Sequence, residues 1–136
     1  MQESFHVETP GRALVDITAR VNALLAAHRV ARGVCTVFIH HTSASLLVNE
    51  NADPAVLLDL ERWMSRAVVD GDGIFQHTDE GPDDMSAHVR TALTSTSLSI
   101  PVADGKLDLG TWQAVYLWEH RTSPHRRRIS VVTAAT

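Results

Sequence analysis

The spacing of apolar residues changes several times along this chain, and each change marks an element. Phe5 and Val7 alternate with polar neighbours before Pro10-Gly11, which predicts an opening strand and a turn. Leu14, Ile17, Val21, Leu24 and Leu25 then recur at helical spacing, so a core-facing helix is expected through about His28. Val34 to Ile39 is β-branched and aromatic, the composition of a buried strand. Leu46-Leu47-Val48 is apolar again. Asp53 followed by Pro54 then predicts a helix start, with the carboxylate as N-cap and proline at the first helical position. Leu57, Leu60, Met64 and Ala67 make one stripe of that helix, and Asp70-Gly71-Asp72-Gly73 ends it. A third helix is expected from Pro82 through Met85, His88, Val89, Ala92 and Leu93.

From Ser97 onward the pattern is β. Leu98, Ile100 and Val102 alternate into Asp104-Gly105, a hairpin signal, and Leu107 and Leu109 lie on the return strand. Trp112, Ala114, Tyr116, Trp118 and His120 fall on one side of the next strand, a stripe that suits a sheet core or an interface. His125 and Arg126 to Arg128 are expected in a loop, with Ile129 to Thr133 as the last strand. Strands before, between and after about three helices predict a single α+β domain over residues 1–136, with a mixed, largely antiparallel, sandwich-like sheet.

Composition narrows the classes. The formal net charge is -4 with the eight histidines neutral, so nothing global recruits nucleic acid or an anionic membrane. Lys106 is the only lysine and reads as part of a hairpin, which argues against Schiff-base chemistry and leaves guanidinium groups, hydroxyls and amides to hold an anion. Cys35 is the only cysteine, excluding an intrachain disulfide. With no secretory leader pattern and no run of eighteen apolar residues, a cytoplasmic location is expected.

The candidate chemistry begins at His40-His41-Thr42-Ser43-Ala44-Ser45, where the apolar run of Val34 to Ile39 ends. Neighbouring side chains on extended backbone point to opposite faces, so at most one of His40 and His41 looks into a given pocket. The cluster offers nitrogens for a metal or for acid-base work, and donors for an oxyanion such as phosphate. It equally suits a strand end whose turn is satisfied by Thr42, Ser43 and Ser45. The loop Phe75 to Asp84 carries His77 with four carboxylates, Asp79, Glu80, Asp83 and Asp84. Asp84 and His88 are four apart and share a helix face, as a surface ion pair or as a carboxylate that orients an imidazole and helps it hold a cation. His120 ends its strand much as His41 does. No Gly-rich phosphate loop, dinucleotide fingerprint, HExxH or CxxC is present, so any site must be assembled from separated segments.

Four of these segments carry a resemblance. His41-Thr42-Ser43-Ala44-Ser45-Leu46, Asn49-Glu50-Asn51 with Asp53-Pro54, Glu80-Gly81-Pro82-Asp83-Asp84-Met85 with His88, and Gly110-Thr111-Trp112-Gln113 with Glu119-His120-Arg121 are similar to the signatures of the YjbQ-like family. Ser86 stands where that family commonly has proline. The resemblance implies a small α+β protein that associates as a homotrimer. It also implies a secondary thiamine-phosphate synthase activity, joining a pyrimidine diphosphate to a thiazole phosphate with release of pyrophosphate. It implies that His41, His88 and His120 converge on a divalent metal, zinc before magnesium, with Glu50 and Asp84 as the catalytic or orienting carboxylates. Ser43, Ser45, Thr111 and Arg121 become the candidates for binding a phosphorylated substrate. Two other readings stay open: a zinc-dependent hydrolase of a small phosphorylated or carbonyl compound, and a non-catalytic trimeric module that captures a phosphorylated metabolite.

Overall fold

The computed structural model of the chain describes residues 1–134. Its elements run β1 (Gln2–Thr9), β2 (Ala13–Asp16), α1 (Thr18–Ala27), β3 (Gly33–Ile39), β4 (Ala44–Glu50), α2 (Pro54–Ala67), α3 (Asp84–Leu93), β5 (Ser97–Ala103), β6 (Lys106–Leu107), β7 (Gln113–Glu119) and β8 (His125–Ala134). The strands form a five-stranded sheet in the order β1-β8-β3-β5-β6 and a three-stranded sheet in the order β2-β7-β4. Every pairing is antiparallel. The architecture is the expected α+β one with three helices.

Strict alternation explains the larger sheet. Gly33, Cys35, Val37 and Ile39 are buried while the residues between them are not. Their inner face meets Leu46, Val115 and Leu117 from the smaller sheet, and α1 adds Val21 and Leu25 to the same core. Each such side chain contributes about 1.5–3 kcal/mol on burial. The opposite face of the smaller sheet carries Leu47 and Trp118, covered by Met64 and Val68 together with Leu60 and Val89 from the helices α2 and α3. Cys35 is a small core residue whose thiol is pushed up to about 11 by burial, which removes it from nucleophilic chemistry.

Local signals worked where one residue type has one physical use. Asp53 caps α2 by accepting from the Ala55 amide at 2.9 Å, with Pro54 in the first turn. Asp104 and Gly105 take φ of 52° and 81° in a two-residue hairpin between β5 and β6. Several boundaries differ from expectation: β6 ends at Leu107, short of Leu109, and β7 begins at Gln113, just past Trp112. Leu14 lies in β2, paired with Trp118, and α1 begins only at Thr18, because Leu14 and Ile17 fit either an apolar stripe or a short strand followed by a turn. His125 to Arg128 belong to β8 and pair with His6 to Thr9 of β1, so the arginine run is strand and not loop.

Pairing also sets the site. Ala44 lies opposite Glu119, so the starting end of β4 and the finishing end of β7 meet. The segments His41 to Ser45 and Glu119 to Arg121 therefore share one end of the smaller sheet. The N-terminal turn of α3 reaches the same end through Asp83 and Asp84, which bond Arg121.

Candidate metal centre

Asp84 is the centre of this end of the molecule. It begins α3, and its side chain is 3% exposed, against 46% for His77 and 30% for His88. Its Oδ2 lies 2.7 Å from His77 Nε2 and 3.2 Å from His88 Nε2. Its Oδ1 accepts from Arg121 Nη1 at 2.9 Å. Arg121 also donates to Asp83 at 3.0 Å and to the Glu80 carbonyl at 3.0 Å, which ties the loop carrying His77 to the segment after β7. Burial would raise the Asp84 carboxyl, but the hydrogen bond from His77 and the charges of His88 and Arg121 hold it below the usual carboxylate range. Asp83 is driven the same way against its own burial, by Thr122 and Arg121.

One ligand atom each from His77, Asp84 and His88 lies within 4.8 Å of the others, a spacing that a single ion can span. The orientation of His88 decides how this group is read. Its Nδ1 is 2.9 Å from the Thr42 carbonyl, and a carbonyl only accepts, so the proton sits on Nδ1. In its neutral form the ring then aims a bare Nε2 lone pair at the carboxylate oxygen of Asp84, and in its charged form it donates a proton there. Two acceptors facing each other across 3.2 Å need a proton or a cation between them. A histidine whose far nitrogen donates to a backbone carbonyl is the usual posture of a metal ligand. Two imidazoles and a carboxylate suit zinc and similar transition ions better than magnesium, which prefers oxygen donors throughout.

The other expected residues are placed as follows. His120 is fully buried; its Nε2 is 2.8 Å from Ser45 Oγ, and its Nδ1 has no partner among the described residues. Burial, and then the charges of Arg90, Arg12 and Arg127, push its imidazole down to about 3. It is a neutral residue locked into the packing beside Trp118, with ring centroids 5.2 Å apart. His41 is exposed, and its Nδ1 accepts from the Ser43 amide at 3.1 Å with Ser43 Oγ at 3.0 Å. Burial of part of the ring and the charge of Arg127 lower its proton affinity. Thus only His88 of the three histidines grouped by the resemblance joins the cluster, and His77 supplies the second imidazole.

The hydroxyls are turned inward. Ser43 accepts from Arg127 Nη2 at 2.9 Å, and Arg127 is itself paired with Glu119 in the interior. Burial would raise the Glu119 carboxyl, but Arg127, Thr9 and the Arg121 amide keep it low. Ser45 is fully buried against His120. The guanidinium of Arg121 is engaged by carboxylates and a carbonyl in place of a substrate anion. Glu50 and Thr111 lie elsewhere. Glu50 pairs with Gln113 at the far end of β4, and Thr111 is exposed just before β7. At about 3.3 Å of rise per residue, the seven steps from Gln113 to His120 put both roughly 20 Å from the histidine end. The structure does not bring either to the cluster.

The pattern described as UPF0047 protein YjbQ-like matches residues 3–136. The chain belongs to this family. Among its relatives, UPF0047 protein sll1880 of Synechocystis is 47% identical over 130 residues, covering 96% of this chain and 88% of that protein. UPF0047 protein YjbQ of Escherichia coli O157:H7 is 44% identical over 109 residues, covering 80% and 78%. The hypothetical protein APE1520 of Aeropyrum pernix has the same fold, with a TM-score of 0.90 at 28% identity over 100% of this chain and 99% of that one. A conserved protein of the family from Clostridium acetobutylicum gives 0.88 at 32% identity, covering 97% and 99%. The YjbQ-like fold of the chain is therefore the family's own.

Proposed function

We propose that this chain is a divalent-metal-dependent enzyme acting on a small phosphorylated metabolite, with the ion held by His77, Asp84 and His88. The observation that carries the reading is the convergence of two imidazoles on one carboxylate oxygen, with the His88 ring fixed by the Thr42 carbonyl so that its Nε2 faces Asp84 Oδ2 beside the Nε2 of His77. A bound ion would supply Lewis acidity toward a phosphoryl oxygen or toward water. The protein's own contribution is orientation. Thr42 sets the tautomer of His88, and Arg121 occupies Oδ1 of Asp84 so that Oδ2 alone is turned to the histidines. The family resemblance favours transfer with release of pyrophosphate, as in the joining of the pyrimidine and thiazole halves of thiamine phosphate. The exposure of the His77 and His88 rings, which lets water reach the cluster, favours a zinc-dependent hydrolase as the second reading. The homotrimer implied by the resemblance is part of the proposal, with the exposed Trp112 as a contact.

The test is to strip the protein with a chelator, reload it with zinc, manganese or magnesium, and assay both reactions in the wild type and in His88→Ala. Turnover that needs added metal and falls by more than the about 10- to 100-fold typical of an outer-shell change supports an enzyme. Pyrophosphate release from the paired thiamine precursors supports the transferase, and phosphate release from simple esters the hydrolase. Metal-dependent binding of the phosphates without turnover identifies the capture module instead.

A further inference from the structure

The resemblance places His41 among the metal ligands, and the hydrogen bonding around its ring points to another role. The Ser43 backbone amide can only donate, and it reaches His41 Nδ1 at 3.1 Å. Nδ1 is therefore the unprotonated nitrogen. The proton of the neutral ring must sit on Nε2, for which the described residues provide no hydrogen-bond partner, and the side chain is exposed. Ligation through Nε2 would need the opposite tautomer, which sets an N–H of the ring against the N–H of Ser43 and leaves that amide without its acceptor. His41 and His88 thus carry their protons on opposite nitrogens, for matching reasons. His88 gives Nδ1–H to a carbonyl and turns Nε2 to Asp84; His41 takes an amide hydrogen on Nδ1 and turns an N–H outward.

One residue of chain links the two histidines. Thr42, the residue between His41 and Ser43, provides the carbonyl that holds His88, and the charge of Arg127 bears on the His41 ring. A donor on the segment that holds a cation ligand, with no acceptor among the described residues, is the complement of an anion bound to that cation. We propose that His41 is a substrate-binding residue that donates its Nε2–H to a phosphoryl oxygen of the ligand, and that it is not a ligand of the ion. This rests on the metal reading of His77, Asp84 and His88. It also supplies the phosphate donor that Ser43, Ser45 and Arg121, engaged internally, do not.

Two substitutions separate the roles. His41→Asn keeps a short acceptor for the Ser43 amide and removes the distal donor; His41→Gln restores a donor at the reach of Nε2. Calorimetric titration of the metal-stripped proteins with zinc, and then of the zinc-loaded proteins with methylphosphonate, reads the two sites in turn. The expected result is zinc affinity within about threefold of wild type for both variants. Methylphosphonate should bind about tenfold or more weakly to His41→Asn, with most of the loss recovered in His41→Gln, as for one hydrogen bond to a charged group. Thermal melts of both variants matching wild type would show that the fold is intact. Zinc binding weakened about tenfold or more by His41→Asn, as for a lost ligand, overturns the proposal. So does methylphosphonate binding that is undetectable in zinc-loaded wild type or unchanged in His41→Asn. A wild type that takes up no zinc is the different failure, that of the metal reading itself.

Discussion

At the scale of single residues, Asp84 and His120 show two ways of burying a titratable group. Asp84 remains charged because His77, His88 and Arg121 surround it. Asp84→Asn keeps the shape and an acceptor for Arg121 Nη1 but removes the charge, leaving Asp83 as the carboxylate that hydrogen-bonds Arg121. Urea unfolding in the presence of a chelator should show a loss of about 2 kcal/mol, below the range for a fully buried pair because Arg121 keeps that second partner. His120 stays neutral instead. Its folded pKa, about 3, lies below the ordinary histidine value of 6.5, so the unfolded chain binds the extra proton between those two values. Stability is complete above about pH 6.5 and falls as the pH drops toward 3, by about 2 kcal/mol between pH 6.5 and 5. His120→Gln, measured by melting temperature across that range, should flatten this slope. His41 shares the direction and its contribution will remain. The sequence made Asp84 and His88 legible as a pair, since four residues on a helix is one turn. It could not do so for His77, which reaches Asp84 from an irregular loop with no spacing rule, nor could it show that the His120 ring faces Ser45 inside the packing.

At the scale of elements, the site depends on how tightly the turn after β1 presses against the segment after β7. Gly11 has φ of +116°, and a Cβ there would meet the Thr122 carbonyl oxygen at 2.5 Å. Neither the dihedral nor the clash suits an L side chain. Gly11→Ala should therefore cost about 2 kcal/mol or more by chemical denaturation and shift the segment that carries Arg121, weakening zinc binding as well. Asp53→Ala provides the contrast. It removes the α2 cap at a distance from the histidines and should cost about 1 kcal/mol with zinc affinity unchanged. Caps and hairpins of this kind were readable because asparate-proline and asparate-glycine pairs have few structural uses. The switch from β2 to α1 was not, because Leu14, Ile17 and Val21 satisfy a helical period while Leu14 in fact pairs with Trp118 across the smaller sheet. The run Arg126 to Arg128 looks like loop by charge, yet Arg127 points inward to Glu119 while its neighbours are exposed.

At the scale of the whole molecule, the two sheets and the α2 and α3 layer bring to one end groups that are up to 79 positions apart, from Thr42 to Arg121. That convergence is set by the register of β4 against β7, a property that periodicity does not encode. Because the ion would bind the folded chain and the unfolded chain only weakly, zinc at about 100 times its Kd should add about 2.7 kcal/mol, seen as a melting temperature raised by roughly 10 °C and reversed by a chelator. The central claim, that His77, Asp84 and His88 hold a divalent ion while His120 is structural, is tested most directly by calorimetric titration of metal-stripped protein with zinc. The account predicts one ion per chain in the wild type and in His120→Gln, and no saturable binding in Asp84→Asn or His88→Ala. Binding that survives in His88→Ala, or that is lost in His120→Gln with the fold intact, would contradict it.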